Sequence, residues 1–262
     1  MEEGKKGICR LSIVPVRGAP DHKSEMVTQL LFGEHYTVLE ADASKKWIRI
    51  SSYHDGYTGW ISSDQYVPVS EEYFDQINKS NYKICLDLST TILYGKSQVN
   101  ILMGSIIPIA TSELFRMEEK LAFNGESKSL GQKRDFEFIK LIGQKLMNTP
   151  YLWGGRTPYG IDCSGFVQLL FRLAGYSLKR DSSDQFQQGS LVESFQDIRP
   201  GDLAFFKNAK DRIDHVGICL ENGKIMHASG KVKTDDLTGE GIEVSPGVFT
   251  HTKPSFRRIL LE

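Results

Sequence analysis

Cys163 is the residue of this sequence whose surroundings most suggest chemistry. It follows the glycine-rich segment WGGRTPYGID and precedes the apolar run GFVQLLFRLAG, so it stands where a helix is predicted to begin. A free thiol has a pKa of about 8.5, and the unpaired amide groups and the dipole at a helix start lower it. A packed structural cysteine is the alternative, and the position alone leaves both open.

Two histidines supply the other parts of a thiol mechanism. His215 begins the apolar segment HVGICL and His227 lies in KIMHAS, and the turn sequence ENGK between them predicts an antiparallel hairpin. Side chains across such a hairpin are neighbours. A thiol, a base and a group that orients the base are what nucleophilic hydrolysis requires. A structural strand histidine is the alternative for His227.

The remaining cysteines and histidines fit structural positions. Cys9, Cys85 and Cys219 stand in apolar or alternating segments, which predicts small buried side chains, and the absence of a C-x-x-C pair argues against a zinc knuckle or a disulfide framework. A zinc site built on Cys163 and the two histidines would lack a closely spaced ligand pair and a clear fourth ligand. Neither a metal nor an organic cofactor is expected. Surface positions are predicted for His22, His35, His54, His251 and Arg156.

Composition excludes several classes of partner. The chain has 262 residues, of which 40% are hydrophobic and 25% charged, and its net charge is −1. That balance gives no electrostatic case for nucleic acid or an anionic membrane, and no run of about 18 apolar residues predicts a membrane span. The first 20 residues lack the apolar core of a signal peptide. We expect a cytoplasmic monomer, with a periplasmic or secreted protein as the alternative if a leader was removed.

Three domains are predicted to position these residues. Short alternating strands over 8–68 predict a small β-barrel or sandwich, assigned to 1–69. Residues 70–81 are predicted as a polar connector, with one helical turn as the alternative. A second, degenerate barrel is predicted over 80–125. From 130 to 262 two helical patterns precede several strands, which predicts an α+β domain with helices packed on an antiparallel sheet.

The ordered motifs resemble a known family. The segments YLWGG, DCSGFV, RPGDL, DHVGI and HAS resemble the NlpC-type papain-like cysteine peptidases of bacterial cell-wall turnover. The segments EHYTVLEADASKKWIRI and DGYTGWISSDQYV resemble bacterial SH3-like barrels. Together they make the chain similar to γ-D-glutamyl-L-diamino acid endopeptidases of the dipeptidyl-peptidase VI type. The resemblance implies a papain-like α+β catalytic domain preceded by small all-β SH3-like barrels.

The same resemblance assigns catalytic roles. Cys163 corresponds to the nucleophile, His215 to the base and His227 to the third polar residue. Tyr151 corresponds to the tyrosine whose hydroxyl joins the Cys163 amide in the oxyanion hole. The implied reaction is hydrolysis of the γ-D-Glu–diamino acid bond in murein-derived peptides with a free amino-terminal L-Ala. The alternatives are a non-catalytic protein that binds wall peptides and a thiol amidase or acyltransferase on the same fold.

The resemblance also implies substrate contacts. Recognition of a free ammonium group requires carboxylates near the cleft. Asp162 is one candidate, although it fits a helix cap equally well. From the barrel, Glu34 and either Tyr57 or Tyr66 are expected to close the cleft against longer peptides, with a solvated loop charge as the alternative for Glu34. The predicted substrate-binding set comprises Asp162, Ser164, Trp153, Asp181, Ser182, Glu34, Tyr57 and Tyr66.

Overall fold

The computed structural model describes residues 3–79, 82–110, 115–116 and 120–260. The chain divides into two compact units, Met1–Gln132 and Lys133–Glu262. The predicted domains 1–69 and 80–125 both fall within the first unit, and the predicted start of the third at 130 lies close to the division. The separation of the first two domains stays a prediction.

Seven strands form the first sheet of the amino-terminal unit, and every pairing within it is antiparallel in the order β3-β2-β6-β5-β4-β1-β7. The strands are β1 Lys6–Ile8, β2 Ile13–Arg17, β3 Met26–Leu31, β4 His35–Ala41, β5 Trp47–Ser52, β6 Thr58–Ser62 and β7 Val67–Val69. Alternate side chains, such as Val14 and Val16 of β2, point into one apolar core. The predicted short strands are confirmed.

Residues Glu71–Lys79 form helix α1, so the predicted connector is helical over nine residues and not only over one turn. Phe74 and Ile77, three residues apart, are both buried on one face of this helix. The Ser70 hydroxyl accepts a hydrogen bond from the Tyr73 amide at 3.1 Å, which caps the first turn. Two apolar residues on one face are enough to stabilise a short helix once a core covers them. In a polar segment, such a sparse apolar pattern is hard to recognise.

The rest of this unit is also rich in strands. It contains β8 Tyr82–Cys85, β9 Ser89–Tyr94, β10 Ser97–Leu102, β11 Ile106–Ala110, β12 Phe115–Arg116, β13 Leu121–Phe123 and β14 Ser127–Ser129. They pair as a four-stranded sheet, β10-β9-β13-β12, and a three-stranded sheet, β11-β8-β14. Residues 80–81, 111–114 and 117–119 of the predicted second barrel lie outside the described residues, and its closure into a barrel stays a prediction.

The carboxy-terminal unit places helices before an antiparallel sheet, as predicted. Its helices are α2 Phe136–Lys145, α3 Cys163–Leu173 and α4 Ser182–Gln185. Its strands are β15 Arg156–Thr157, β16 Gly160–Ile161, β17 Ser190–Val192, β18 Leu203–Lys207, β19 Ile213–Leu220, β20 Lys224–Ser229, β21 Lys231–Leu237, β22 Gly241–Ser245, β23 Val248–Thr252 and β24 Ser255–Arg258. Eight of them form one sheet in the order β17-β24-β18-β19-β20-β21-β22-β23. The α+β class is confirmed.

Helix α3 is the centre of this unit. It contacts α2 and strands β19 and β20, and all its side chains from Cys163 to Leu173 are buried, which is typical of a helix enclosed on all sides. The chain leaves the helix through Gly175 at φ +85°, the left-handed conformation that favours glycine after a helix end. A buried helix fixes its first residue firmly, and that residue is Cys163.

Candidate active site

Cys163 occupies the first turn of α3, and Asp162 is the residue that caps it. The Asp162 carboxylate accepts a hydrogen bond from the Gly165 amide at 2.7 Å, so the predicted cap is confirmed. The backbone is crowded here: a side chain at Gly165 would begin 2.4 Å from the Gly155 carbonyl oxygen. The glycines of WGG and DCSG therefore let the turn and the helix start pack against each other.

A buried ion pair lies beneath this helix start. Arg180 donates from Nη1 and Nη2 to the two carboxylate oxygens of Asp162 at 3.0 and 2.5 Å, and it also donates to the Ser164 hydroxyl at 2.8 Å. The Gly154 amide donates to the same carboxylate at 2.8 Å. Asp162 thus has internal partners on both oxygens. This geometry gives no direct support to the predicted contacts of Asp162 and Ser164 with substrate, which stay predictions.

The two predicted histidines meet across the β19–β20 hairpin. Asn222 and Gly223 have φ of +57° and +64°, which is typical of the tight turn that ENGK predicts. Gly217 pairs with His227, so His215 lies two residues further along and contacts His227 diagonally. A side chain at Gly217 would begin 2.9 Å from the His227 Cβ, so this glycine makes room for the second imidazole.

Three side chains form a hydrogen-bonded line. His215 Nε2 lies 2.8 Å from His227 Nδ1, and His227 Nε2 lies 3.0 Å from the carboxylate of Asp235 on β21. The carboxylate only accepts, so His227 holds its proton on Nε2 and, when neutral, accepts at Nδ1. His215 must then donate from Nε2, which leaves its Nδ1 unprotonated. The line therefore fixes His215 in the tautomer that can take a proton at Nδ1.

A cavity of about 610 Å³ opens beside this line. It is lined by Tyr151, Trp153, Ser183, Asn208, Arg212, Ile213, Asp214, His215, Ala228, Ser229, Gly230 and His251. Two of the predicted site residues, Tyr151 and Trp153, lie in its wall together with the predicted base. Trp153 is 60% exposed in this wall.

Tyr151 is held by its backbone and keeps its proton. Its amide donates to the Gly230 carbonyl at 3.0 Å. Burial raises the pKa of its hydroxyl, and the neighbouring Cys163 and Asp162 raise it further. The hydroxyl therefore stays a hydrogen-bond donor at neutral pH, as a contributor to an oxyanion hole must.

The thiol and the base are both neutral at rest. Burial raises the pKa of Cys163 to about 12 and Asp162 adds to the rise, while backbone amides at Val216 and Ser164 oppose it. Burial also lowers the pKa of His215 well below its usual value. The Cys163 thiol lies 3.7 Å from the Asp214 carbonyl, to which it donates. The helix start alone predicts a lowered thiol pKa, but desolvation outweighs it here, so that expectation is wrong.

The remaining predicted site residues have mixed environments. Asp181 is half-buried just before α4 and Ser182 is buried at its start, and the next residue, Ser183, lies in the cavity wall.

In the amino-terminal unit, Glu34 is 2% exposed and accepts a hydrogen bond from the Leu31 amide at 2.9 Å, so the alternative of a solvated loop charge is wrong. Tyr66 is half-buried and donates to the Lys6 carbonyl at 3.1 Å, and Tyr57 is half-buried. The predicted gate formed by Glu34, Tyr57 and Tyr66 stays a prediction.

Some surface predictions are wrong. His35 is buried between Tyr53 and Phe74, since α1 supplies Phe74 and was not anticipated. His251 is half-buried in the cavity wall, and Arg156 is buried at 3% exposure. The predicted burial of Cys9, Cys85 and Cys219 is confirmed.

Two functional candidates, Asp235 and His251, escaped the sequence analysis. Asp235 reaches His227 only through the pairing of β20 with β21, in which His227 lies opposite Lys233. The alternating polar segment KTDD was the available signal, but it does not show which carboxylate faces the histidine.

Among the described residues, no group of three or more His, Cys, Asp or Glu side chains is placed to hold a metal ion. No helix in the described part of the chain is long and apolar enough to cross a membrane.

Comparison with known proteins agrees with this geometry. A family model described as the NlpC/P60 family matches residues 148–245, and one described as a bacterial dipeptidyl-peptidase SH3 domain matches residues 16–65. The γ-D-glutamyl-L-lysine dipeptidyl-peptidase of Bacillus subtilis is 28% identical over 236 residues, which cover 83% of this chain and 74% of the relative. The protein of the same name from Bacillus cereus is 25% identical and covers 78% of this chain and 68% of its own length.

Solved structures share the fold. An NlpC/P60 family protein from Bacillus cereus superposes with a TM-score of 0.81 at 18% identity, covering 97% of this chain and 99% of the other. An NlpC/P60 endopeptidase from Photobacterium damselae subsp. piscicida gives a TM-score of 0.69 at 17% identity, covering 89% of this chain and 66% of the other. The chain therefore carries an NlpC/P60 cysteine peptidase domain, matched over residues 148–245, which follows a bacterial dipeptidyl-peptidase SH3 domain, matched over residues 16–65.

Proposed function

We propose that this protein hydrolyses the bond between γ-D-Glu and the diamino acid of murein stem peptides whose L-Ala amino terminus is free, releasing L-Ala-γ-D-Glu. The NlpC/P60 domain makes it a cell-wall peptidase. The proposal concerns which bond is hydrolysed and the requirement for a free amino terminus. The observation that carries it is the line from His215 through His227 to Asp235 beside the cavity, with the Cys163 thiol bonded to the carbonyl of Asp214, the residue before His215. The names of the two Bacillus relatives support this choice of bond.

Acylation would begin with attack of the Cys163 sulfur on the γ-carbonyl carbon of D-Glu. The thiol proton passes to Nδ1 of His215, which becomes an imidazolium. The carbonyl oxygen takes the negative charge, and the Tyr151 hydroxyl with the Cys163 amide would donate hydrogen bonds to it. When the C–N bond breaks, the imidazolium gives its proton to the departing amine of the diamino acid. The product is a thioester on Cys163.

Deacylation repeats these steps with water. His215, neutral again, accepts a proton from a water molecule that attacks the thioester carbonyl. Collapse of the second tetrahedral intermediate breaks the C–S bond, and the sulfur leaves as it regains a proton from the imidazolium. Free L-Ala-γ-D-Glu and the neutral thiol result, and the protons balance.

The resting protonation state suggests when the first proton moves. Burial disfavours both charges of a thiolate–imidazolium pair, since it raises the pKa of Cys163 and lowers that of His215. We infer that proton transfer accompanies attack rather than preceding it. Asp235 then helps, because its carboxylate stabilises through His227 the charge that appears on His215.

The role of the amino terminus also belongs to the proposal. Glu34, together with Tyr57 or Tyr66, would exclude peptides with further residues before L-Ala. This restricts the enzyme to free murein peptides and favours peptide recycling, for which a cytoplasmic location is proposed.

A pair of peptides tests the proposal. The protein is incubated with L-Ala-γ-D-Glu-L-Lys and with its N-acetylated form, and the products are followed by mass spectrometry. We expect L-Ala-γ-D-Glu from the free-amine peptide, little cleavage of the acetylated peptide, and no product from Cys163→Ala. No dipeptide from the wild-type protein would overturn the proposal. Equal cleavage of both peptides would support the peptidase activity but would contradict the requirement for a free amino terminus.

A further inference from the structure

His251 lies flat against His215, the predicted base. The two ring centroids are 4.1 Å apart and the ring planes differ by 24°. His251 also meets Phe206 edge-on, with centroids 5.6 Å apart, and stands at 89° to His227 at 6.3 Å. One face of the His215 imidazole is therefore covered by a second imidazole, while its Nε2 is bonded to His227.

The contact depends on the curl of the whole sheet. His251 lies on β23, opposite Ile242 of β22, at the end of the sheet and four places from β19. The sheet curls so that β23 also contacts β18, and this brings His251 over the ring of His215 in the cavity wall. His251 Nδ1 lies 3.1 Å from the Thr250 hydroxyl, which anchors its own ring. The stack is thus built from distant strands and held at both ends.

A single hydrogen bond does not fix an imidazole plane. The bond from His215 Nε2 to His227 sets one point of the ring, and the ring can still tilt about it. A stacked aromatic neighbour removes that freedom, because any tilt breaks the face-to-face contact. Held in this way, Nδ1 keeps one direction when it has to take and return a proton.

We propose that His251 is a positioning residue: its neutral imidazole covers one face of His215 and holds Nδ1 in the direction from which it exchanges a proton with Cys163. This inference rests on His215 being the base of the proposed reaction.

The stack also gives the site a dependence on pH. The ionisable groups that face His251 are Asp214 and His215 from β19, His227 from β20, and Lys233 and Asp235 from β21. Burial lowers the pKa of His251, although Asp214 opposes the change. Once His251 takes up a proton at low pH, a positive ring is stacked on His215. That charge opposes formation of the imidazolium that the proposed reaction needs.

Two substitutions at this position separate the stack from the titration. His251→Ala removes both, and His251→Phe keeps a stacked ring that cannot take a proton. His22→Ala is the control, since His22 is an exposed histidine of the amino-terminal unit. The first readout is the rate at which iodoacetamide alkylates Cys163 across a pH series, followed on the peptide that contains it. The second is kcat and KM on L-Ala-γ-D-Glu-L-Lys.

We expect His251→Ala to lower the alkylation rate and kcat about tenfold with KM changed less than about threefold, as for loss of a group that orients a functional side chain. We expect His251→Phe to lower the alkylation rate and kcat less than His251→Ala does. We also expect it to shift the acid limb of the pH profiles of both quantities to lower pH. His22→Ala should change neither readout. Thermal melting checks that each variant is folded. If the His251→Ala protein does not fold, the comparison of His251→Phe with the wild type tests the inference.

The inference fails if the His251→Ala protein has the same alkylation rate and kcat as the wild type, or if only its KM rises, which would make His251 a substrate contact. It also fails if His251→Phe lowers the alkylation rate and kcat as much as His251→Ala does and leaves the acid limb at the same pH. Alkylation needs no peptide substrate. If the wild type cleaves no tripeptide while the alkylation rates follow the expected order, the proposed function fails and this inference stands.

Discussion

Cys163 in the carboxy-terminal unit and Cys9 in the amino-terminal unit have nearly the same electrostatics. Both are buried, at 5% and 1% exposure, and burial raises the pKa of each thiol to about 12. Each thiol donates to a backbone carbonyl, at 3.7 Å for Cys163 and 3.3 Å for Cys9. Each has a carboxylate nearby, Asp162 or Glu34, that raises the pKa further. The resting pKa therefore does not distinguish a nucleophile from a packed cysteine.

The surroundings do distinguish them. Cys9 packs in an apolar core with Val14, Leu30 and Tyr36. Cys163 begins a buried helix in the unit that holds the cavity and the line of imidazoles. In the proposed mechanism, the reactivity of Cys163 therefore comes from a fixed proton acceptor and from donors for the oxyanion, which act during the reaction, rather than from a thiolate formed beforehand.

The largest expected difference comes from replacing each thiol. Cys163→Ala should lower kcat by about 10⁴-fold or more, since it removes the nucleophile. Cys9→Ala should keep kcat within about twofold and lower the free energy of unfolding by about 1 kcal/mol, because it only leaves a small cavity. Peptide cleavage and denaturant unfolding measure the two effects. Turnover by Cys163→Ala, or loss of activity in a well-folded Cys9→Ala protein, would erase the contrast.

The next effect concerns the second histidine. His227→Ala should lower kcat by about 10³-fold, because His215 loses both its fixed tautomer and the link to Asp235. Steady-state kinetics on L-Ala-γ-D-Glu-L-Lys gives the value, with the exposed His22→Ala as the control. A loss below about tenfold would mean that the line does not set the state of the base.

Breaking the ion pair under the helix start should affect stability most. Arg180→Met leaves the Asp162 carboxylate buried without its counter-charge, and should lower the free energy of unfolding by about 3–5 kcal/mol. Adding Asp162→Asn should recover part of this loss, because the uncompensated charge is gone. Arg258→Met is the matched control: Arg258 pairs with buried Asp202 but is itself 25% exposed, so its loss should be smaller. Chemical denaturation measures all four proteins.

An Arg180→Met protein as stable as the wild type, or a double variant less stable than the single one, would contradict this account of the helix start.

The smallest expected effect separates two neighbouring carboxylates. Asp235→Asn should lower kcat about tenfold, since an amide no longer fixes the proton of His227 on Nε2. Asp236→Asn is the matched control, because Asp236 is an exposed neighbour that pairs with Lys224 at 2.6 Å. Equal rates for the two variants would show that Asp235 acts only as a surface charge.

Much of the site was predictable because local patterns place it. The cap at Asp162 and the ENGK turn depend on residues adjacent in sequence, so the position of Cys163 and the meeting of His215 with His227 followed from them. The NlpC-like motifs and the SH3-like segments likewise indicated the α+β class and the preceding all-β unit.

The rest depends on contacts that no local pattern contains. The thiol pKa turned on burial, which only the packed unit decides. Arg180 reaches the site from the segment between α3 and α4. Asp235 and His251 reach it from β21 and β23, and their positions depend on strand register and sheet curl. Helix α1 was missed because its buried face carries so few apolar residues.

The most direct test of the central claim asks which cysteine a substrate-like reagent labels. L-Ala-γ-D-Glu carrying a γ-diazomethylketone places an electrophilic carbon where the scissile carbonyl would lie. After incubation, peptide mapping by mass spectrometry should find the label on Cys163 and not on Cys9, with labelling abolished by Cys163→Ala and slowed about 10-fold or more by N-acetylation of the reagent. Label on another residue, or an unlabelled Cys163 under conditions in which the tripeptide is cleaved, would contradict the account.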